Sequence, residues 1–165
     1  MARADDTIIR TADICDDHGD ARVCELQFRD FAAREHFHGE VVTFATFEDN
    51  KGILDVLRAG GAGKVLVIDG RGSTRRALCG GNIAAEACEQ GWEGLVFNGA
   101  IRDSHEFEPL DFGVKALGTT AMPPRRGAGG RPGEPLNFGG IAINPGDYLY
   151  ADRDAVILLP GPVHD

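Results

Sequence analysis

Residues 65–103, VLVIDGRGSTRRALCGGNIAAEACEQGWEGLVFNGAIRD, limit the possible folds more than any other stretch of the chain. An apolar run at 65–68 ends at Asp69 and enters a glycine-rich loop. A helical pattern starts around Asn82 and Ile83 and stops at Gly91. A second apolar run at 95–97 leads through Asn98-Gly99-Ala100-Ile101 to the adjacent pair Arg102-Asp103. Strand, helix, strand is a βαβ unit, and such units are almost always right-handed and parallel. Both strands of a parallel pair end on one edge, and the helix between them runs backwards, so its N-terminus lies beside those ends. The pattern therefore predicts that Gly80-Gly81-Asn82 and Arg102-Asp103 meet in space. Ligands of open α/β sheets bind along that edge.

Other segments extend this unit. Residues 41–47, VVTFATF, read as a strand rich in β-branched and aromatic residues. Glu48-Asp49-Asn50 then signals a helix start. The helix spans 51–59, with Ile53, Leu57 and Leu54 on one face and Gly60-Gly61 ending it. Residues 7–15 suggest a short N-terminal helix, and 28–37 a polar-aromatic connection. His36 and His38 in that connection share a strand face, but no third ligand lies near them in sequence, so a metal pair is not the preferred reading. Apolar runs at 114–117, 141–143, 148–150 and 155–159, separated by Gly-Pro and Pro-Gly turns, predict further strands. Residues 123–135, PPRRGAGGRPGEP, oppose regular structure and predict an exposed, mobile loop. Its Arg125, Arg126 and Arg131 could meet an acidic partner, although a solvated loop is the simpler reading.

One domain over residues 1–165 is expected from the length. With 42% hydrophobic residues the chain can fill a core, which excludes a disordered polyanion. A net charge of −9 disfavours direct binding to nucleic acid but allows a basic protein surface as partner. No apolar leader follows Met1, and no apolar run is long enough to span a membrane. Cys15, Cys24, Cys79 and Cys88 form no CxxC pair. A cytoplasmic protein with free thiols is the expectation.

Two motifs at the strand ends bear on chemistry. Gly70-Arg71-Gly72 follows a strand but lacks the third glycine of a dinucleotide loop and the Lys-Ser/Thr of a P-loop. A sharp turn is the better reading. Gly80-Gly81-Asn82-Ile83 sits where a helix begins, so backbone N–H groups lack intrahelical partners and two glycines let an anion approach. The plainer alternative makes Asn82 a simple N-cap. Arg102 supplies a fixed, forked cation, and Asp103 a hard oxygen ligand for Mg²⁺ or a similar ion. Amides, cation and carboxylate at one edge suit a small 2-oxo acid. Arg102 would stabilise the enolate oxygen that develops as the bond to C3 breaks.

The sequence resembles the RraA-like family, which holds the regulator of ribonuclease E activity A and the class II 4-hydroxy-4-methyl-2-oxoglutarate aldolases. The matching stretches are TADICDDHGD (11–20), FEDN (47–50), VLVIDGRGSTRRAL (65–78), GWEGLVFNGAIRD (91–103), LDFGVKALGT (110–119) and NFGGIAINPGDYLYAD (137–152). The resemblance implies an α/β fold of the swivelling β/β/α kind and a ring-shaped homotrimer. For aldolase members it implies a divalent metal, Mg²⁺ or Mn²⁺, and retro-aldol cleavage to pyruvate with oxaloacetate decarboxylation as a second activity. For regulator members it implies binding and inhibiting a ribonuclease E-type enzyme. By position, the substrate-carboxylate loop falls on Gly80, Gly81, Asn82 and Ile83, the substrate arginine on Arg102 and the metal carboxylate on Asp103. Aldolase members usually read Gly-Asp-Asn-Leu in that loop, and here Gly81 replaces the Asp. The amides survive, but an acid–base carboxylate is lost. Such assistance is typically worth about 10²–10⁴-fold, so retro-aldol cleavage should suffer more than decarboxylation. The short stretch after Asp152 suggests that the C-terminal extension of longer aldolase members is lacking, an expectation that weighs against the aldolase activity.

Overall fold

A computed structural model describes residues 8–165. In chain order its elements are α1 (Thr11–Asp17), β1 (Arg22–Val23), β2 (Arg29–Asp30), β3 (Phe37–Ala45), α2 (Ile53–Arg58), β4 (Lys64–Asp69), β5 (Ala77–Cys79) and α3 (Gly81–Glu89). There follow β6 (Gly94–Ile101), a 3-10 turn (Ser104–Glu106), β7 (Gly113–Thr119), β8 (Arg131–Pro132), β9 (Leu136–Phe138), β10 (Ile141–Ile143), β11 (Tyr148–Ala151) and β12 (Val156–Leu159).

The sheet is mixed. β3, β4, β6 and β7 lie side by side and parallel, with Val65 opposite Gly94 and Asp69 opposite Asn98. β11, β12 and β1 extend it antiparallel beyond β3, and β2 closes the other edge against β7. β9 and β10 form a separate hairpin. The unit β4–α3–β6 is the expected βαβ crossover. Every residue of β6 is buried, as a strand covered on both faces must be.

Strand periodicity sorts each strand's residues between two cores. Leu66 and Ile68 of β4 face α2 and α3, joining Leu57, Ala84, Ala87 and Trp92. Val65 and Val67 face the opposite way and meet Val96, Leu149 and Leu158. α1 covers a third cluster through Ile14, against Tyr150, Ile157 and Leu159. The Asp152 carboxylate anchors α1 by accepting hydrogen bonds from the Thr11 N–H at 2.7 Å and hydroxyl at 2.9 Å.

Several expectations need correction. The N-terminal helix starts at Thr11, and Thr7 lies outside the described residues. Residues 28–37 are not a plain connection, because Arg29 and Asp30 pair with β7 and the buried Phe37 opens β3. Lys115 Nζ, on β7, reaches Asp30 Oδ1 at 2.9 Å and holds that edge in place. β5 was not expected. It is three buried residues long, too short for a periodic signal, yet it pairs with the end of β6.

Residues 123–135 are the largest difference. Asp49 accepts hydrogen bonds from the N–H groups of Lys51, Gly127 and Gly129 at 2.9, 2.7 and 3.1 Å. Arg131 and Pro132 pair with β3 as β8. Arg125 pairs with the buried Glu48, and Arg131 with Glu134. One buried carboxylate on the β3–α2 connection thus fixes a loop that its own composition leaves undetermined. No helix among the described residues is long and apolar enough to cross a membrane. All four cysteines are free thiols.

Candidate functional site

The N-terminus of α3 and the end of β6 do meet. Gly80 is the extended residue that precedes α3, and no side chain caps the helix. Asn82 is therefore inside the helix and exposed, not its N-cap. The Ala84 N–H reaches Gly80 O at 3.1 Å, the first i→i−4 bond of the helix. The preceding N–H groups of Gly81, Asn82 and Ile83 have no acceptor within the helix, and the positive end of its dipole adds to their potential.

Glycine at 80 lets Arg102 and Asp103 come close to the helix end. A Cβ there would stand 3.0 Å from Asp103 Oδ2 and 3.7 Å from both Cγ and Nε of Arg102. The two motifs are tied by backbone as well, since the Arg102 N–H donates to Cys79 O at 2.9 Å. Asp103 takes a left-handed conformation, φ 57° and ψ 41°. A non-glycine residue there carries strain of roughly 1–3 kcal/mol, although Asp tolerates that region better than most. The kink turns the chain from β6 into the 3-10 turn and leaves the Asp103 carboxylate exposed at the strand end. Among the described residues neither Arg102 nor Asp103 is in an ion pair.

These residues line a cleft of about 260 Å³ together with Gly80, Gly81, Asn82, Ile83, Asn50 and Arg126. Asn50 and Arg126 were not expected in the site. Arg126 arrives on the clamped 123–135 loop, where the signal was obscured by the surrounding glycines and prolines. Cys79 forms part of the same wall. Burial, and secondarily the negative charge of Asp103, raise its thiol well above the ordinary range, which makes it inert rather than nucleophilic.

A larger cleft of about 400 Å³ lies on the same sheet edge, between Phe47, Asp49, Asp69, Arg71, Arg125 and Arg131. Its charges are largely engaged. Arg125 pairs with Glu48, Arg131 with Glu134, Asp49 with three amides, and Asp69 Oδ1 accepts from Asn98 Nδ2 and the Arg71 N–H. The Gly70–Gly72 stretch is a turn, as expected, with Arg71 and Gly72 at φ 58° and 74°. Chemistry therefore favours the smaller cleft.

Among the described residues no three or more His, Cys, Asp or Glu side chains converge as a metal group. His38 instead contacts the Tyr148 hydroxyl through Nδ1 at 2.7 Å. A closed zinc site needs about four such ligands. Mg²⁺ or Mn²⁺ differs, because a hard cation keeps most of its water and can use only one or two protein carboxylates. The Asp103 carboxylate fits that second case.

Comparison with known proteins identifies the family of the chain. A family model described as RraA-like, Aldolase/RraA, matches residues 11–158. An Azotobacter vinelandii protein named "Putative 4-hydroxy-4-methyl-2-oxoglutarate aldolase" is 44% identical over 93% of this chain and 95% of its own length. The solved structure of "the RNA-processing inhibitor RraA from Thermus thermophilis" superposes with a TM-score of 0.91, at 40% identity over 94% of this chain and 95% of that one. A Geobacillus kaustophilus structure described as an S-adenosylmethionine:2-dimethylmenaquinone methyltransferase gives the same TM-score, at 39% identity over 94% and 97%. Three different names on one fold leave function to be argued from the site.

Proposed function

This chain belongs to the RraA-like family, and on that premise we propose that it is a divalent-metal-dependent lyase of 2-oxo acids. The type is that of 4-hydroxy-4-methyl-2-oxoglutarate aldolase with oxaloacetate decarboxylase activity. One observation carries the reading: Asp103 and Arg102 crowd against Gly80 at the open N-terminus of α3, with no ion-pair partner among the described residues. In this reading the substrate's C1 carboxylate accepts hydrogen bonds from the amides of Gly81, Asn82 and Ile83. Asp103 holds Mg²⁺ or Mn²⁺, which when bound supplies Lewis-acid polarisation of the 2-oxo acid. Arg102 donates to the C2 oxygen and stabilises the negative charge that gathers there, a kind of contact worth about 10²–10³-fold when one donor is removed. Arg126 adds a cation for the substrate's second carboxylate.

Both reactions break a bond to C3 and leave its electron pair in an enolate of pyruvate, which is then protonated at C3. In decarboxylation the departing group is CO₂. In retro-aldol cleavage the C4 hydroxyl must also lose its proton, and position 81 carries no side chain to accept it. Decarboxylation is therefore the faster of the two reactions. The test compares both turnover rates with Mg²⁺ or Mn²⁺, and equal, robust turnover of both substrates refutes the imbalance.

A second reading has its own support. The net charge of −9 and the likeness to a solved RNA-processing inhibitor suit a protein that binds a ribonuclease E-type enzyme without touching RNA. Co-elution with such a protein that survives Arg102→Ala and Asp103→Ala favours it. A homotrimer in the cytoplasm is the proposed setting for either role.

A further inference from the structure

We propose that Glu106 supplies the second carboxylate of the cation site, standing over Gly81 as Asp103 stands over Gly80, where it orders the water around a cation held at Asp103. The inference rests on the lyase reading above and adds a residue that neither the motifs nor the resemblance assign.

The geometry is unusual. A Cβ on Gly81 would lie 1.6 Å from Glu106 Oε2, 2.7 Å from its Cδ and 2.9 Å from its Cβ. No side chain can occupy position 81 while Glu106 holds this place. Position 81 carries no side chain, and that of Glu106 reaches over it from the 3-10 turn. Gly80 and Gly81 are consecutive, so the Asp103 and Glu106 carboxylates approach neighbouring residues at the start of α3.

The turn that carries Glu106 is anchored. Its N–H donates to Asp103 O at 2.9 Å. The next residue, Phe107, is fully buried, and its N–H donates to Ser104 O at 3.1 Å. The Glu106 side chain is half-exposed, and its contact with the exposed His105 Nε2 is long, at 3.8 Å. Such a surface pair holds little. Glu106 is therefore available to a ligand, and the α3 dipole favours an anion where it stands.

A hard cation bound by one carboxylate retains several waters, and each needs an acceptor. Outer groups that accept from those waters or orient the ligands typically change metal affinity 10–100-fold. Asp103 is the carboxylate on the cleft lining, beside Arg102 and Arg126. Glu106 is the further acceptor that the turn brings to the same helix end. It acts through the water shell and is a positioning residue.

The test is titration of the protein with Mn²⁺, following the paramagnetic resonance signal of the free ion. Asp103→Asn should abolish binding. The isosteric Glu106→Gln should weaken it about tenfold or more. The double variant Gly81→Asp/Glu106→Ala, which returns a carboxylate to α3, should recover most of the wild-type affinity. A purely structural role for Glu106 cannot produce that rescue. Wild-type affinity in Glu106→Gln, or failure of the double variant to recover, overturns the proposal and leaves the lyase reading standing. If wild type shows no Asp103-dependent Mn²⁺ binding, both fall together.

Discussion

Two groups of charged residues sit on one edge of one sheet and do opposite things. At the ends of β3 and β4, Glu48 is buried, accepts from the Ser73 hydroxyl at 2.8 Å and pairs with Arg75 and Arg125. Asp49 beside it accepts from three amides. At the ends of β5 and β6, Arg102 and Asp103 carry the same chemistry with no ion pair among the described residues. The first group spends its charge on structure, clamping the 123–131 segment that brings Arg126 to the second. The second has no ion pair among the described residues, which is what the proposed ligand seat requires. The difference teaches that residue type and place on a strand end do not identify a site. Whether the charges already have protein partners does.

The comparison is broken most directly at Arg102. Arg102→Ala should lower oxaloacetate decarboxylation by about 10²–10³-fold with the melting temperature nearly unchanged, as measured by pyruvate release and a thermal melt. The converse holds at Glu48. Glu48→Gln should lower the melting temperature by several degrees, because it leaves Arg75 and Arg125 without their anion. It should reduce turnover only in proportion to the loosening of the 123–131 segment, which hydrogen exchange reads.

Asp49 sharpens the same contrast through pH. Burial raises its carboxyl, but hydrogen bonds from Lys51, Gly127 and Gly129 outweigh that and hold it below the ordinary range. A carboxylate lowered by folding stabilises the fold above its unfolded value of about 3.9, and that contribution fades as pH falls through the lower, folded value. Proteolysis within 123–131 should therefore be slow at neutral pH and rise sharply only below about pH 4. Cutting at an equal rate at pH 5 and pH 7 that is already fast would show that Asp49 does not hold the loop. Smaller still is the exposed Arg58–Glu86 pair between α2 and α3. Arg58→Ala should shift the melting temperature by no more than about 2 °C.

How much of this could be read from the residues depends on the length over which a signal repeats. The β4–α3–β6 unit was legible because apolar runs at 65–68 and 95–97 flank a helical pattern, and the structure sorts those runs alternately between two cores. The meeting of Gly80-Gly81 with Arg102-Asp103 followed from the handedness and direction of that unit. β5 was not legible, because three residues show no period. The order of 123–135 was not legible either, since Asp49 lies far away in sequence and acts through backbone amides, which any residue except proline can offer. Glu106 was missed for a related reason. Its place over Gly81 depends on the left-handed Asp103 and the buried Phe107, and neither conformation nor burial can be read from the spacing of Asp103 and Glu106.

A crystal structure with Mn²⁺ and oxalate would locate the ligand seat, since oxalate resembles the enolate of pyruvate. Oxalate should lie within hydrogen-bonding distance of the Gly81, Asn82 and Ile83 amides and of the Arg102 guanidinium, with Mn²⁺ on the Asp103 carboxylate. Oxalate seated instead in the cleft beside Phe47 and Arg71, with Arg102 turned into solvent, would contradict it.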